Sequence, residues 1–255
     1  MANQVRHLLS IVDLASEEIH ELLNRALELK GGVRSEVLRG RSVALLFEKP
    51  SLRTKVSFDL AAYQLGGHAV YLSPEEVGLG VREPVSDVAK VLSEYVDVLV
   101  ARTFTHVSLV ELAESASIPV INALSDLEHP CQALADLLTI REVNPGGKKL
   151  TIAFVGDGNN VANSLALAAC SLGFEFRIAS PEGYEIPDAV QNQIQKFVDD
   201  YGGSYLQTRS PLEAVASADV VYTDVWASMG QESEREKRRK DFKDYCVTPE
   251  LMSNA

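Results

Sequence analysis

Apolar positions along the chain follow two alternating rhythms. Residues 14–30, LASEEIHELLNRALELK, repeat their apolar positions at helical spacing behind Ser10 and Asp13, and Gly31-Gly32 stops the run. Short, nearly continuous apolar runs of the buried-strand type follow at 42–47 (SVALLF), 68–73 (HAVYLS), 96–101 (VDVLVA) and 119–124 (PVINAL). Helical stretches separate them at 52–65, 84–95 and 107–116; in the second of these, Val85, Val88, Val91, Leu92 and Tyr95 are expected on one face. Pro130 opens a further helix at its first position, where a missing N–H does no harm. A second round repeats the pattern, with strands at 150–156, 174–180, 204–208 and 218–224 and helices at 160–172, 187–201, 211–218 and 231–245. The last is so evenly charged that it reads as a solvated helix face. Strands alternating with helices imply crossover connections and parallel sheets, so the fold class is α/β with two doubly wound parallel-sheet domains. The Pro/Gly/Lys connector NPGGKK at 144–149 places the joint, giving domains 1–145 and 146–255.

Composition narrows the class further. In 255 residues, 46% apolar and 24% charged is ordinary globular usage. Thirty-six acidic against 24 basic side chains leave a net charge of −12, which argues against nucleic acid or an anionic membrane surface as the main partner while permitting one local anion site. No apolar run approaches the ~20 residues a membrane span needs, and His7 and Asp13 break up the stretch at the start that a signal peptide would use. Three widely spaced cysteines, Cys131, Cys170 and Cys246, form neither a metal pair nor a disulfide framework, so a reducing cytoplasm is expected. Five scattered histidines argue against a zinc site.

Open parallel sheets bind ligands beyond the carboxyl ends of their strands, and that rule filters the polar residues. It selects Lys49, Ser51, Arg53 and Thr54 after the first strand, then Arg102, then Asp126, His129 and Gln132. In the second round it selects Asp157, Asn159 and Asn160, and Asp224 with Ser228 and Met229. Ser51-Leu52-Arg53-Thr54 opens a helix, where free N–H groups, two hydroxyls and a guanidinium suit a phosphate; equally, Ser51 only caps the helix and Arg53 is solvated. Arg102 follows an apolar strand and should seek a buried anion or a carboxylate. His129 at a helix cap and Gln132 one turn in can face one spot, where they would polarise a carbonyl and read an amide. Cys131 is expected in the core. Gly156-Asp157-Gly158 after a strand imitates a dinucleotide fingerprint, but the next strand ends at Ala179-Ser180 without the acidic residue that a ribose would need. Asp224 suits an ammonium group, and Gly230 a hinge.

Taken together and in order, Phe47-Glu48-Lys49-Pro50-Ser51-Leu52-Arg53-Thr54, His129-Pro130-Cys131-Gln132, Gly156-Asp157-Gly158-Asn159-Asn160 and the stretch from Asp224 to Gly230 give the chain another meaning. It resembles the ornithine carbamoyltransferases, of the aspartate/ornithine carbamoyltransferase family, over essentially its whole length. The resemblance implies a carbamoyl-phosphate domain followed by an ornithine domain, with the active site in the cleft between them. It implies that Ser51, Arg53, Thr54 and the Leu52 backbone hold the phosphate, and that Arg102, His129 and Gln132 hold the carbamoyl group. Asn160, Asp224, Ser228 and Met229 would hold ornithine, and a cytoplasmic homotrimer is expected. Carbamoyl phosphate is a mixed anhydride, so its reaction with the δ-amino group of L-ornithine needs no metal or cofactor. Arg102 and His129 would stabilise the tetrahedral oxyanion.

Three departures accompany the resemblance. Gly78 stands where many members have a Gln, and Lys55 where Arg is usual. The sequence ends at Ala255, before the family's His-Cys-Leu-Pro strand, so little or no transferase activity is expected of the 255 residues by themselves. The rival readings are an aspartate carbamoyltransferase, a carbamoyltransferase for putrescine or a modified ornithine, a non-catalytic relative, and a nicotinamide-dinucleotide binder.

Overall fold

The structure is a computed structural model that describes residues 5–144, 148–227 and 232–255. Its packing divides the chain into two compact units, one ending at Cys131 and the other beginning at Gln132.

The first unit runs α1 (Ser16–Lys30), β1 (Ser42–Phe47), α2 (Leu52–Gln64), β2 (His68–Leu72), α3 (Pro74–Val77), α4 (Val85–Tyr95), β3 (Val98–Arg102), α5 (His106–Ser115) and β4 (Val120–Leu124). The division falls at the start of α6 (Pro130–Val143). Four parallel strands form one sheet in the order β2-β1-β3-β4. The alternation of β1 explains why helices cover both faces. Ala44 and Leu46 join the core made with Val85, Val88 and Ala89 of α4 and Leu109 and Leu112 of α5. Val43, Leu45 and Phe47 point the other way, toward Ala62 and Phe58 of α2. The outer edge of β4 is covered by the segment around Leu8, whose N–H donates to Val120 while Asn122 N–H donates to the Leu8 carbonyl.

The second unit repeats the scheme with β5 (Thr151–Val155), α7 (Asn160–Ser171), β6 (Glu175–Ala179), α8 (Asp188–Tyr201), β7 (Ser204–Thr208), α9 (Pro211–Val215), β8 (Val220–Tyr222), α10 (Arg235–Asp241) and α11 (Pro249–Met252). Its four parallel strands lie in the order β7-β6-β5-β8. Helix α7 is buried from Ala162 to Ser171, which its Ala-rich sequence permits because small side chains let neighbouring backbones approach.

In each sheet the chain first builds outward on one side, then returns to build on the other. β1 therefore lies beside β3, and β5 beside β8, with their connections leaving in opposite directions. Those two places are the switch points at which an open α/β sheet accepts a ligand. Phe47 and Arg102, the last residues of β1 and β3, are register partners.

Three expectations need correction. In α4 the buried face is Val85, Val88 and Ala89 with Leu92 packed against it, while Val91 and Tyr95 are 51% and 77% exposed. The residues at i, i+3, i+4 and i+7 form the inward stripe, and Val91 and Tyr95 fall outside it. The charged stretch 231–245 is not one solvated helix: a short 3-10 turn precedes α10, and Arg238 is turned inward and only 7% exposed. The strand expected at 218–224 narrows to β8. Past Tyr222 the Thr223 hydroxyl, not the backbone, donates to the Val155 carbonyl at 2.7 Å.

Candidate active site

At the switch point of the first unit, Ser51 caps α2, its Oγ accepting from Thr54 N at 3.3 Å. Leu52 and Arg53 are exposed, and Ser51 and Thr54 half-buried. The capping and solvation weighed for this segment therefore both occur, and they leave the α2 N-terminus, its hydroxyls and the Arg53 guanidinium open to an anion. Behind them sits Arg102, 6% exposed. Its Nε is buried with no hydrogen-bond partner, and no carboxylate pairs with it among the described residues. A guanidinium without an anion in such a place is poorly solvated, and burial lowers its pKa.

His129 immediately precedes α6. Burial, reinforced by the charge of Arg102, holds its imidazole at about 4, so it is neutral at pH 7. Lys49 is drawn down by the same two causes and lies over the Phe104 ring, 5.0 Å from its centroid. Asp126 is committed elsewhere, accepting from His106 N at 2.6 Å. The Cys131 thiol is pushed up to about 12 by burial and donates to the Asn122 carbonyl, so it is no thiolate nucleophile.

The second unit gathers a different set at its own switch point. Asn159 caps α7, its Oδ1 accepting from Val161 N and Ala162 N, and its Nδ2 donates to Asp224 Oδ2 at 3.1 Å. Asp224 is thus held at the end of β8 by the cap of α7, on the wall of a cavity of about 690 Å3. Asn160 is the first residue of α7. Gln132 Nε2 donates to Asp136 Oδ1 at 2.9 Å, and Tyr222 Oη donates to Asp136 Oδ2 at 3.1 Å. Ser228 and Met229 lie outside the described residues.

Asp157 does not face a ligand. Its Oδ2 accepts from Arg238 at 2.6 Å, and Arg238 also reaches Glu234 and the Trp226 carbonyl. The Trp226 ring stacks on Phe242, with centroids 6.0 Å apart. The dinucleotide reading fails on geometry. A Cβ on Gly158 would stand 2.5 Å from the Glu185 and Ile186 backbone, and Gly158 N–H is bonded to the Tyr184 carbonyl at 2.8 Å. The glycine and its amide serve chain packing where a pyrophosphate would have to lie.

Two family models match the chain. Residues 6–142 match the carbamoyl-P binding domain of aspartate/ornithine carbamoyltransferase, and residues 148–255 match its Asp/Orn binding domain. The chain belongs to the aspartate/ornithine carbamoyltransferase family. Within that family it is 49% identical to an ornithine carbamoyltransferase of Methanopyrus kandleri and 48% identical to one of Anoxybacillus flavithermus, each match covering 98% of this chain and 81% of the relative. The crystal structure of an anabolic ornithine carbamoyltransferase from Campylobacter jejuni superposes with a TM-score of 0.95 at 40% identity, over 98% of this chain and 83% of that one. The carbamoyltransferase fold expected from the sequence, two doubly wound parallel sheets, is the fold observed.

Sequence reasoning missed Asp136, Tyr222 and the inward turn of Arg238. Asp136 had one available signal: it lies four residues after Gln132, so the two share a helix face. Gly78, the departure from the family pattern, ends α3 in the left-handed conformation (φ 55°), and a Cβ there would meet Arg82 Cβ at 2.8 Å.

Proposed function

We propose that this protein transfers the carbamoyl group of carbamoyl phosphate to the δ-amino group of L-ornithine, giving L-citrulline and phosphate. The observation that carries the reading is Arg102, a buried guanidinium at the sheet's switch point with no counter-anion among the described residues. Such a group is tolerated where a ligand completes it. The names of the relatives point to ornithine as the acceptor.

In this reading Ser51, Arg53, Thr54 and the Leu52 N–H take the phosphate at the start of α2. Arg102 and His129 are the catalytic pair. His129, being neutral, donates one N–H to the carbonyl oxygen, and the Arg102 charge stabilises the oxyanion as nitrogen attacks carbon. Gln132 meets the carbamoyl amide. As the tetrahedral intermediate collapses, the C–O bond to phosphate breaks, the attacking nitrogen gives its proton to an oxygen of the departing phosphate, and that phosphate stays with Arg53. Asn160, Asp224, Ser228 and Met229 hold ornithine, with the Asp224 carboxylate facing an ammonium group. The carbamoyl-phosphate domain comprises residues 1–145 and the ornithine domain 146–255. The enzyme works in the cytoplasm as a homotrimer, without metal or cofactor.

The test is calorimetric titration with carbamoyl phosphate and with a bisubstrate phosphonate that joins both substrates, alongside a citrulline assay offering ornithine and putrescine. Binding of the phosphonate with selectivity for ornithine is expected. Failure to bind either phosphorus ligand, or preference for putrescine, overturns the reading. Arg53→Ala should weaken carbamoyl-phosphate binding by roughly 100-fold, as expected for a lost charge-assisted contact.

A further inference from the structure

Gln132 is a primary amide, and its two ends do opposite things. The nitrogen donates and the oxygen accepts, so whichever end faces the substrate decides what it recognises. The surroundings of Gln132 are asymmetric. One turn along α6, Asp136 offers a carboxylate, which only accepts when ionised. Gln132 Nε2 donates to its Oδ1 at 2.9 Å, while the Tyr222 hydroxyl on β8 donates to its Oδ2 at 3.1 Å. Both oxygens of Asp136 are therefore engaged, which fixes the side chain; burial, helped by the Asp224 charge, pushes its carboxyl above the ordinary value, and the two donors counter that by favouring its anion.

We propose that Asp136 is a positioning residue that turns the Gln132 amide nitrogen inward, so that the amide oxygen is presented to the N–H of the carbamoyl group. This rests on the reading of Gln132 as the residue that meets that group. The consequence is selectivity. Carbamoyl phosphate carries an NH2 that can donate to the Gln132 oxygen. Acetyl phosphate has the same anhydride and the same dianion but carries a methyl group in that place, which gives the oxygen nothing. Tyr222 adds its grip two residues before Asp224, so the orienting chain Gln132–Asp136–Tyr222 ends beside the residue assigned to ornithine.

Asp136→Asn keeps the shape but offers a donor as readily as an acceptor, so the Gln132 amide is free to turn over. Calorimetry with carbamoyl phosphate, acetyl phosphate and inorganic phosphate on the intact chain reads the effect. The variant should lose roughly tenfold in its preference for carbamoyl over acetyl phosphate, the scale of one hydrogen bond made or reversed. Inorganic phosphate should bind as before. Tyr222→Phe removes only the second donor and should shift the same ratio by a smaller factor; it carries the test if Asp136→Asn does not fold. An unchanged ratio in the folded variants, or equal weakening of all three ligands, overturns the orienting role. A wild-type chain that binds inorganic phosphate but does not prefer carbamoyl to acetyl phosphate also overturns it, while leaving the anion site intact. Wild-type failure on all three ligands instead removes the carbamoyl-phosphate reading, and this inference with it.

Discussion

At the scale of single residues, Arg102 shows function set against stability. A guanidinium buried without an anion is destabilising, and a well-packed apolar side chain of similar length is often neutral or better. Arg102→Met should therefore keep or raise the melting temperature while carbamoyl-phosphate binding weakens by roughly 100-fold; thermal denaturation and calorimetric titration on the same sample check both halves. His129 gives a pH signature. Its folded pKa of about 4 lies below the ordinary histidine value of 6.5. Below pH 6.5 the unfolded chain takes up a proton that the folded one refuses, so stability falls as pH drops toward 4. The loss is about 3 kcal/mol at most. Urea denaturation at pH 7 and pH 4.5 should show it in the wild type and a smaller loss in His129→Asn, where His7 and His106, also lowered by burial, still contribute. Arg102 was legible in the sequence because it follows a run of apolar residues. The protonation of His129 was not, because it depends on burial and on a neighbour 27 positions away.

At the scale of elements, most strands could be read because buried parallel strands are short continuous apolar runs, and their helices because the period changes between them. The turn of Arg238 could not, since a stretch rich in Glu, Lys and Arg has no apolar period to say which face is inward. Its partner Asp157 comes from the end of β5, 81 residues earlier. Breaking that buried pair by Arg238→Met should lower stability by about 3–5 kcal/mol, because Asp157 is left uncompensated. Adding Asp157→Asn should restore much of the loss, a non-additivity that denaturant titration of the two single variants and the double variant will measure. Gly158 makes a second, sharper case. Its Cβ has no room against the backbone at Glu185 and Ile186, and backbone cannot move aside as a side chain can. Gly158→Ala should cost about 3 kcal/mol in the same titration, although in the sequence that glycine only imitates part of a nucleotide fingerprint.

At the scale of the whole molecule, α2 carries apolar residues on its exposed side as well as its buried one. Leu52, Val56, Leu60 and Tyr63 are 78%, 46%, 49% and 75% exposed and recur at i, i+4, i+8 and i+11. A stripe of that kind calls for a cover, and it supports the proposed homotrimer. Light scattering should give a mass near three times 27.8 kDa, and Val56→Glu with Leu60→Glu should shift it toward the monomer. Assembly was not legible in residue patterns alone, because an exposed apolar stripe differs from a buried one only once the other face has been placed.

The all-parallel register described above also bears on how the chain reaches its native state. Among the described residues no strand pairs with a close neighbour in sequence: Leu99 lies beside Val120, Val43 beside Val98, and Ile152 beside Val220. Every ladder must close a long loop before it returns any binding energy, which makes folding slow and leaves sticky edges open meanwhile. Refolding from urea should thus run over milliseconds to seconds or longer, and aggregation should compete as concentration rises.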